Sequence, residues 1–238
     1  MSPDVIRVPT RWRGPAESGN GGYACGLVAG TLGTVAAEVT LRSPPPLERD
    51  LAVEPGEDGV AIYDGDTLVA EGRPARVEVE IPEVPSHKDG EAASRSGYEE
   101  WADGHPFPEC AVCGPERAPG DGMRIFPGRI GEGGLFACAW TPDAFVEGES
   151  GRVSPECIWA ALDCPTSAPA RVAPGRPPVV LGRLRASIDA PVRVGDPHVI
   201  LSWGLGREGR KTTTAGALFD ARGSVLGRAQ AVWIELKE

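Results

Sequence analysis

The sequence lacks several features that would assign it to large classes of proteins. No run approaches the roughly 20 apolar residues that a membrane-spanning helix needs. The N-terminal stretch MSPDVIRVPTRWRG has no apolar core of the kind found in secretory signals. The net charge is -10, which argues against a nucleic-acid surface because phosphate binding needs a clustered basic face. We therefore expect a cytoplasmic protein that binds neither membranes nor nucleic acids.

Two common catalytic signatures are absent as well. There is no G-x-S-x-G motif, and the three histidines, His87, His105 and His198, lie in segments of loop-like composition. Ser-His-Asp hydrolysis is therefore not supported. GLGREG near Gly204 falls between two predicted strands with no helix following, so it is not a dinucleotide fingerprint. We expect no bound cofactor.

The six cysteines are irregularly spaced, which favours reduced thiols over a disulfide framework. Cys110 and Cys113 form a C-x-x-C pair with His105 close by, and such a set could bind zinc, but no fourth ligand is evident. We interpret their Gly/Pro-rich segment as a structured loop that could lie over a ligand cleft, and we assign no metal ligands. The remaining cysteines are predicted to be small buried apolar side chains: Cys25, Cys138, Cys157 and Cys164.

Two stretches of the chain resemble each other. Residues 61–81 and 217–236 both run from an apolar–aromatic–Asp triplet through a glycine turn into an alternating strand. Asp64-Gly65 and Arg222-Gly223 predict the hairpin turns. Upstream of each stretch lies a matched strand, VAAEVTLRSPPP and VLGRLRASIDAP, that ends at proline, which cannot donate a ladder hydrogen bond.

A short apolar helix is predicted before each of those strands. NGGYACGLVAGTLG starts with Asn20 as the N-cap and ends with Gly33 at C′, and SPECIWAALDC starts with the cap Ser154. Both are apolar nearly all round, as expected for helices buried on every side. The pattern predicts an α+β fold with a first half at 1–82, a linker and loop at 83–120, and a second half at 121–238. Within the linker we expect at most a short helix around 98–102.

These segments resemble a known family. RGPAESGNGGYACGLVA followed by VAAEVTLRSPPPL is similar to the opening of acyl-CoA thioesterase II and its double-hotdog relatives, in which a Gly-Gly pair starts the central helix. ALFDARGSVLGRAQAVWIEL resembles their last hairpin, whereas the middle of the chain shows no such likeness. The resemblance implies a tandem (double) hotdog fold, in which each antiparallel sheet wraps one central helix. It also implies that the protein hydrolyses an acyl-CoA or related acyl thioester in a cleft between the two halves.

The resemblance also implies site residues. In such enzymes backbone N–H groups at one helix N-terminus hold the oxyanion, and a carboxylate from the facing helix acts as base or nucleophile. By this match the amides of Gly22 and Tyr23 form the oxyanion site. IWAALDCPT is similar to the G-G-x-x-x-A-L-A-D run of phenylacetyl-CoA-type thioesterases, so Asp163 is the catalytic carboxylate. Gln230 matches the glutamine that holds the attacking water.

Only one complete site is expected. The first helix carries Ala29 or Gly30 where the carboxylate would stand, and Pro155-Glu156 replaces the Gly-Gly pair in the second helix. Gly-Gly survives in one half and the carboxylate in the other, which predicts one working cleft. Pro165 departs from the family pattern, and we expect it to end or kink the second helix and to place Asp163 in its last turn.

The remaining predictions concern the ligand and the alternatives. Asn20, Gly21, Arg207 and Arg210 are assigned to ligand binding, the two arginines because a basic cluster could meet coenzyme A phosphates. A non-catalytic acyl-thioester or small-ligand binding module remains open as an alternative. A hotdog hydratase is disfavoured because no histidine falls on either central helix. A homodimer is compatible with the sequence.

Overall fold

The computed structural model describes residues 4–171 and 177–237. Within them the chain forms eleven β-strands and three α-helices. The helices are α1 (Gly21–Thr31), α2 (His87–Ala102) and α3 (Pro155–Ser167). The strands are β1 (Val5–Ile6), β2 (Ala36–Leu41), β3 (Leu51–Pro55), β4 (Val60–Asp64), β5 (Thr67–Pro74), β6 (Gly128–Ile130), β7 (Leu135–Trp140), β8 (Val179–Ile188), β9 (His198–Glu208), β10 (Lys211–Asp220) and β11 (Val225–Glu235).

The strands form one antiparallel sheet in the order β1-β3-β4-β5-β2-β8-β11-β10-β9-β7-β6. The order β5-β4-β3-β1 beyond β2 is matched by β11-β10-β9-β7 beyond β8, and β6 is an additional strand at that edge. The predicted hairpins are present between β4 and β5 and between β10 and β11. Gly65 and Gly223 have φ of 57° and 83°, in the left-handed region that their turns require.

Helices α1 and α3 pack against each other on the same face of the sheet. Helix α1 lies over β2, β5 and β8, and α3 lies over β8 to β11. The side chain of Asn20 caps α1 by accepting the Tyr23 N–H at 2.9 Å, as predicted. Ser154 occupies the N-cap position of α3, but its hydroxyl contacts Cys157 Sγ at 3.0 Å rather than a backbone amide.

The prediction that Pro165 ends α3 is wrong. The helix continues through Pro165 to Ser167, so Asp163 lies before the last turn. The Thr166 and Ser167 hydroxyls donate to the carbonyls of Asp163 and Cys164 at 2.7 and 2.8 Å. Ser202 Oγ donates to the Pro165 carbonyl at 2.8 Å. These bonds and burial on all sides stabilise the last turn although proline removes one backbone donor.

Helix α2 occupies much of the segment that the sequence analysis treated as a linker. The expected short helix at 98–102 is only its end. The helix packs on β6 and β7 with Gly90, Ala93, Gly97 and Trp101 buried. A Cβ atom built at Gly97 would lie 2.5 Å from the Phe126 carbonyl oxygen, so the contact depends on glycine. The buried side of α2 therefore consists mostly of small residues rather than large apolar ones.

The loop after α2 returns to the first half of the chain and is tightly packed there. The Ala111 N–H donates to the Arg13 carbonyl at 2.8 Å, and Met123 and Ile125 donate to the carbonyls of Ala111 and Val112. Ala111 and Val112 are fully buried. These contacts place Cys110 and Cys113 near the N-terminus of α1.

Candidate functional site

Asp163 meets the N-terminus of α1 directly. Its Oδ2 accepts the Gly22 N–H at 2.8 Å and the Asn20 side-chain N–H at 3.2 Å. A Cβ atom built at Gly22 would lie 2.2 Å from Asp163 Cβ, far inside van der Waals contact. Glycine at this position is therefore what allows the carboxylate and the amide to meet, and the predicted pairing of the two helices is present.

The Asp163 carboxyl group is buried, with 2% of its surface exposed. Its Oδ1 has no hydrogen-bond partner within residues 4–171 and 177–237. Burial raises the pKa of Asp163 to about 7, although the hydrogen bond from Gly22 opposes this shift. A buried carboxyl group with one unsatisfied oxygen and a pKa near neutrality has the properties of a proton acceptor.

The amides at the start of α1 differ in what they bind. The Tyr23 N–H donates to Asn20 Oδ1 at 2.9 Å and is therefore not open to a ligand. The Tyr23 ring stacks on Trp12 at 4.2 Å. The Gly22 N–H donates to Asp163, and the Gly21 N–H meets no acceptor in the described part of the chain. Gly21 also lines the adjoining cavity. The predicted pair of oxyanion donors, Gly22 and Tyr23, is thus not the pair that faces this cavity.

A cavity of about 500 Å³ opens beside this contact. Both halves of the chain and the loop after α2 contribute to its wall, which includes Asn20, Gly21 and Asp163. Most of the lining is apolar, as is usual for small-molecule sites. Further lining residues are Leu41, Phe107, Leu181, Trp233, His105 and Arg171.

Three thiols lie in the same wall. The Sγ atoms of Cys110, Cys113 and Cys164 all lie within 4.8 Å of one another. Asn20 Nδ2, which contacts Asp163, also donates to Cys164 Sγ at 3.5 Å and to Cys110 Sγ at 3.8 Å. Hydrogen bonds from Cys113 and Cys164 hold the pKa of Cys110 well below its ordinary value. The burial predicted for Cys164 is confirmed, but its place beside the C-x-x-C pair was not predicted.

His105 and Arg171 line the cavity on the side of α2. His105 Nδ1 accepts the Phe107 N–H at 3.0 Å, while its Nε2 is buried without a partner among the described residues. Burial, together with the nearby Arg171 charge, lowers the pKa of His105 to about 4. The Arg171 guanidinium lies 4.0 Å from the centre of the Trp101 ring. At neutral pH this wall therefore carries one positive charge and a neutral imidazole.

Besides Gly22 and Tyr23, the predicted site residues Gln230, Arg207 and Arg210 lie outside the cavity lining, and their side chains make other contacts. Gln230 stands on β11 between Ala229 and Ala231, which are fully buried toward the helices. Strand alternation turns Gln230 to the opposite face. Arg207 donates to the Glu235 carboxylate at 2.8 Å, and Arg210 donates to the Glu235 carbonyl at 2.6 Å. The structure does not bring these three side chains together with Asp163.

A second close contact between α1 and α3, at Gly26, does not bring a carboxylate to a glycine at a helix N-terminus. A Cβ atom built at Gly26 would lie 2.5 Å from Glu156 Cα, so the helices approach closely there too. Helix α1 contains no Asp or Glu from Gly21 to Thr31, and the start of α3 has Pro155 in place of a glycine. Of these two close contacts between α1 and α3, only the one at Gly22 brings a carboxylate to a helix that begins with glycine.

No helix among the described residues is long and apolar enough to cross a membrane. No family model and no curated protein match the sequence. In structure, the chain is similar to the tesB protein of Mycobacterium avium subs paratuberculosis, with 13% identity over 98% of this chain and 96% of that chain and a TM-score of 0.62. It is also similar to the acyl-CoA thioesterase II TesB2 of Mycobacterium marinum, with 9% identity over 92% and 89% of the two chains and a TM-score of 0.61. The chain therefore has the fold of these two structures, a large antiparallel sheet with few helices.

Proposed function

We propose that the chain is a double-hotdog thioesterase that hydrolyses an acyl-CoA or related acyl thioester at Asp163. The halves are 1–82 and 121–238, and α1 and α3 are their central helices. The observation that carries the proposal is the 2.8 Å contact between Asp163 Oδ2 and the Gly22 N–H at the wall of the cavity. It combines a buried carboxylate with a helix N-terminus, the two elements that thioester hydrolysis needs.

In the proposed reaction the thioester carbonyl oxygen lies at the N-terminus of α1. The Gly21 and Gly22 N–H groups stabilise the negative charge that develops on this oxygen, aided by the positive end of the helix dipole. This use of Gly22 requires that Asp163 exchange its bond to the amide for a bond to water. Asp163 then accepts a proton as the water oxygen bonds to the carbonyl carbon. When the C–S bond breaks, the same proton passes to the leaving thiolate.

The cavity wall supports a ligand that is apolar at one end and charged at the other. Leu41, Phe107 and Leu181 provide apolar surface for an acyl group. Arg171 also lines the cavity and provides positive charge for phosphate groups such as those of coenzyme A, whereas Arg42 in the same lining forms an ion pair with Glu71. The mechanism does not use Gln230, Arg207 or Arg210, because none of them lines the cavity.

The experiment is thiol release from short, long and aromatic acyl-CoA esters by the wild type and by Asp163→Asn. We expect the wild type to hydrolyse at least one ester and the variant to lose about 100-fold or more, the range for a general base. Asp66→Asn, in the exposed turn between β4 and β5, is the matched control and should keep full activity. If the wild type releases thiol from no ester, hydrolysis of coenzyme A substrates is ruled out. If Asp163→Asn remains fully active, the assigned base is wrong.

A further inference from the structure

The three thiols in the cavity wall come from two distant parts of the chain. Cys110 and Cys113 belong to the loop after α2, and Cys164 belongs to α3. Their Sγ atoms all lie within 4.8 Å of one another, and no other set of Cys, His, Asp or Glu in residues 4–171 and 177–237 forms such a group. The fold thus brings together three buried thiols that the sequence separates.

The sulfur spacing fits a shared metal ion. Zinc–thiolate bonds of about 2.3 Å in a tetrahedral site place two sulfurs roughly 3.8 Å apart. The Cys110 and Cys164 Sγ atoms are 3.8 Å apart. A disulfide needs about 2.05 Å, so the pair is separated by much more than a covalent bond.

The sulfur of Cys110 is held by the fold of its loop. Its Sγ lies 3.8 Å from Cys164 Sγ and accepts the Asn20 side-chain N–H at 3.8 Å. The Gly114 N–H donates to the Cys110 carbonyl at 2.9 Å, and a Cβ atom built at Gly114 would lie 2.5 Å from Cys110 N. The loop therefore makes a tight turn that only glycine permits at position 114, and this turn fixes the position of Cys110.

A neutral amide supports the other side of the cluster. Asn20 Nδ2 donates to both Cys110 and Cys164, and the same group contacts Asp163. Hydrogen bonds from such outer groups to ligand atoms are a regular feature of metal sites, because they orient the ligands and stabilise their charge. Asn20 is itself held by capping α1, so its position is fixed by the helix.

We propose that Cys110, Cys113 and Cys164 bind a zinc ion through their thiolates. Soft sulfur ligands in a tetrahedral arrangement select zinc among the common divalent ions. No fourth Cys, His, Asp or Glu ligand atom in the described ranges lies within 4.8 Å of all three sulfurs. Because all three cysteines line the cavity, we infer that the fourth position faces it and takes a water molecule, which a ligand sulfur or oxygen can replace. Zinc binding does not depend on the proposed thioesterase activity.

The test measures metal rather than activity. The full chain is produced in zinc-supplemented medium and purified under reducing conditions, and its metal content is determined by mass spectrometry. We expect about one zinc per chain, the stoichiometry of a single tetrahedral site. After chelation, titration with Co²⁺ should give sulfur-to-cobalt charge-transfer bands that saturate at one equivalent.

Serine variants then locate the ligands. Cys164→Ser and Cys113→Ser should each lower the affinity for Co²⁺, measured in the same titration, by about 10-fold or more, because even the loss of an outer-shell partner costs this much. Cys138→Ser is the matched control, because Cys138 is fully buried but, among the described residues, its sulfur contacts no polar group except the Ile200 carbonyl. Circular dichroism verifies that each variant folds, and the cobalt titration of the wild type tests the proposal if one does not. Wild-type protein without stoichiometric metal or charge-transfer bands would overturn it, and so would a disulfide-linked peptide joining two of the three cysteines.

Discussion

Replacing Gly22 by alanine would add a methyl group at the closest point between α1 and α3. The new Cβ atom would lie 2.2 Å from Asp163 Cβ and 2.9 Å from the Trp159 carbonyl oxygen. Carbon atoms in contact prefer about 3.5–4.0 Å, so the helices must separate by roughly 1.5 Å or one backbone must shift. Both neighbours belong to the buried core of α3 and cannot rotate away.

We expect Gly22→Ala to lower the free energy of unfolding by about 1–3 kcal/mol, the cost of overpacking a filled core. The same shift lengthens the bond between the Gly22 N–H and Asp163 Oδ2, so under the proposed mechanism activity should fall with stability. Urea denaturation followed by fluorescence measures the first effect, and thiol release measures the second.

Gly30→Ala on the same helix is the matched control. A Cβ atom built at Gly30 meets nothing within 4 Å, and the residue is exposed. Alanine should therefore stabilise the helix by about 0.5–1 kcal/mol through its higher helix propensity. If Gly22→Ala proves as stable as the wild type, or gains stability as Gly30→Ala does, the close approach of the two helices at Asp163 is not real.

Three further predictions follow from buried polar contacts. Burial raises the pKa of Glu38, but hydrogen bonds from Arg185 and Arg73 outweigh burial and lower the pKa below its ordinary value of 4.5. The contribution of Glu38 to stability should therefore be present above about pH 4.5 and be lost as pH falls through the lowered pKa. In urea denaturation, the difference in free energy of unfolding between the wild type and Glu38→Gln should therefore become smaller in acid. Trp233→Phe removes the indole N–H that donates to Thr166 Oγ1 at 3.1 Å and should cost about 1–2 kcal/mol in urea denaturation, whereas an unchanged midpoint would mean that this bond contributes nothing. Asn20→Ala removes the N-cap of α1 and should lower the free energy of unfolding by about 1–2 kcal/mol, and Asn20→Ser should recover part of this loss if capping is the cause.

Local signals in the sequence were enough to predict α1, α3 and the two hairpins. The helix caps at Asn20 and Ser154, the apolar composition of both helices, and the glycine turns at Gly65 and Gly223 each act over a few residues. The meeting of Asp163 and Gly22 is a long-range contact, and it was predicted only because the chain resembles a family in which two such helices are antiparallel.

The features that were not predicted depend on side chains with weak sequence signals. The buried face of α2 uses Gly90, Ala93 and Gly97, which pack closely because they are small, and the helix as a whole is polar in composition. Gln230 was predicted to reach the site, yet Ala229 and Ala231 face the helices on the same strand. The alternation of residues along this strand is visible in the sequence. The small side chains of Ala229 and Ala231 are the signal that could have identified the face of β11 that packs on the helices.

The position of Cys164 could not be predicted from local sequence, because the thiols nearest to it belong to the loop after α2. In a C-x-x-C pair, local turn geometry holds two thiols close together, and the spacing of Cys110 and Cys113 predicts this. A third thiol reaches them only when α3 packs at the start of α1, and this depends on the glycines at 22 and 26. The contact that positions Asp163 at Gly22 therefore also positions Cys164 at the loop, and the Asn20 side chain touches both. A change that separates α1 from α3 should consequently disturb the carboxylate and the thiol cluster together, whereas a change in the 110–114 turn should disturb the thiols alone.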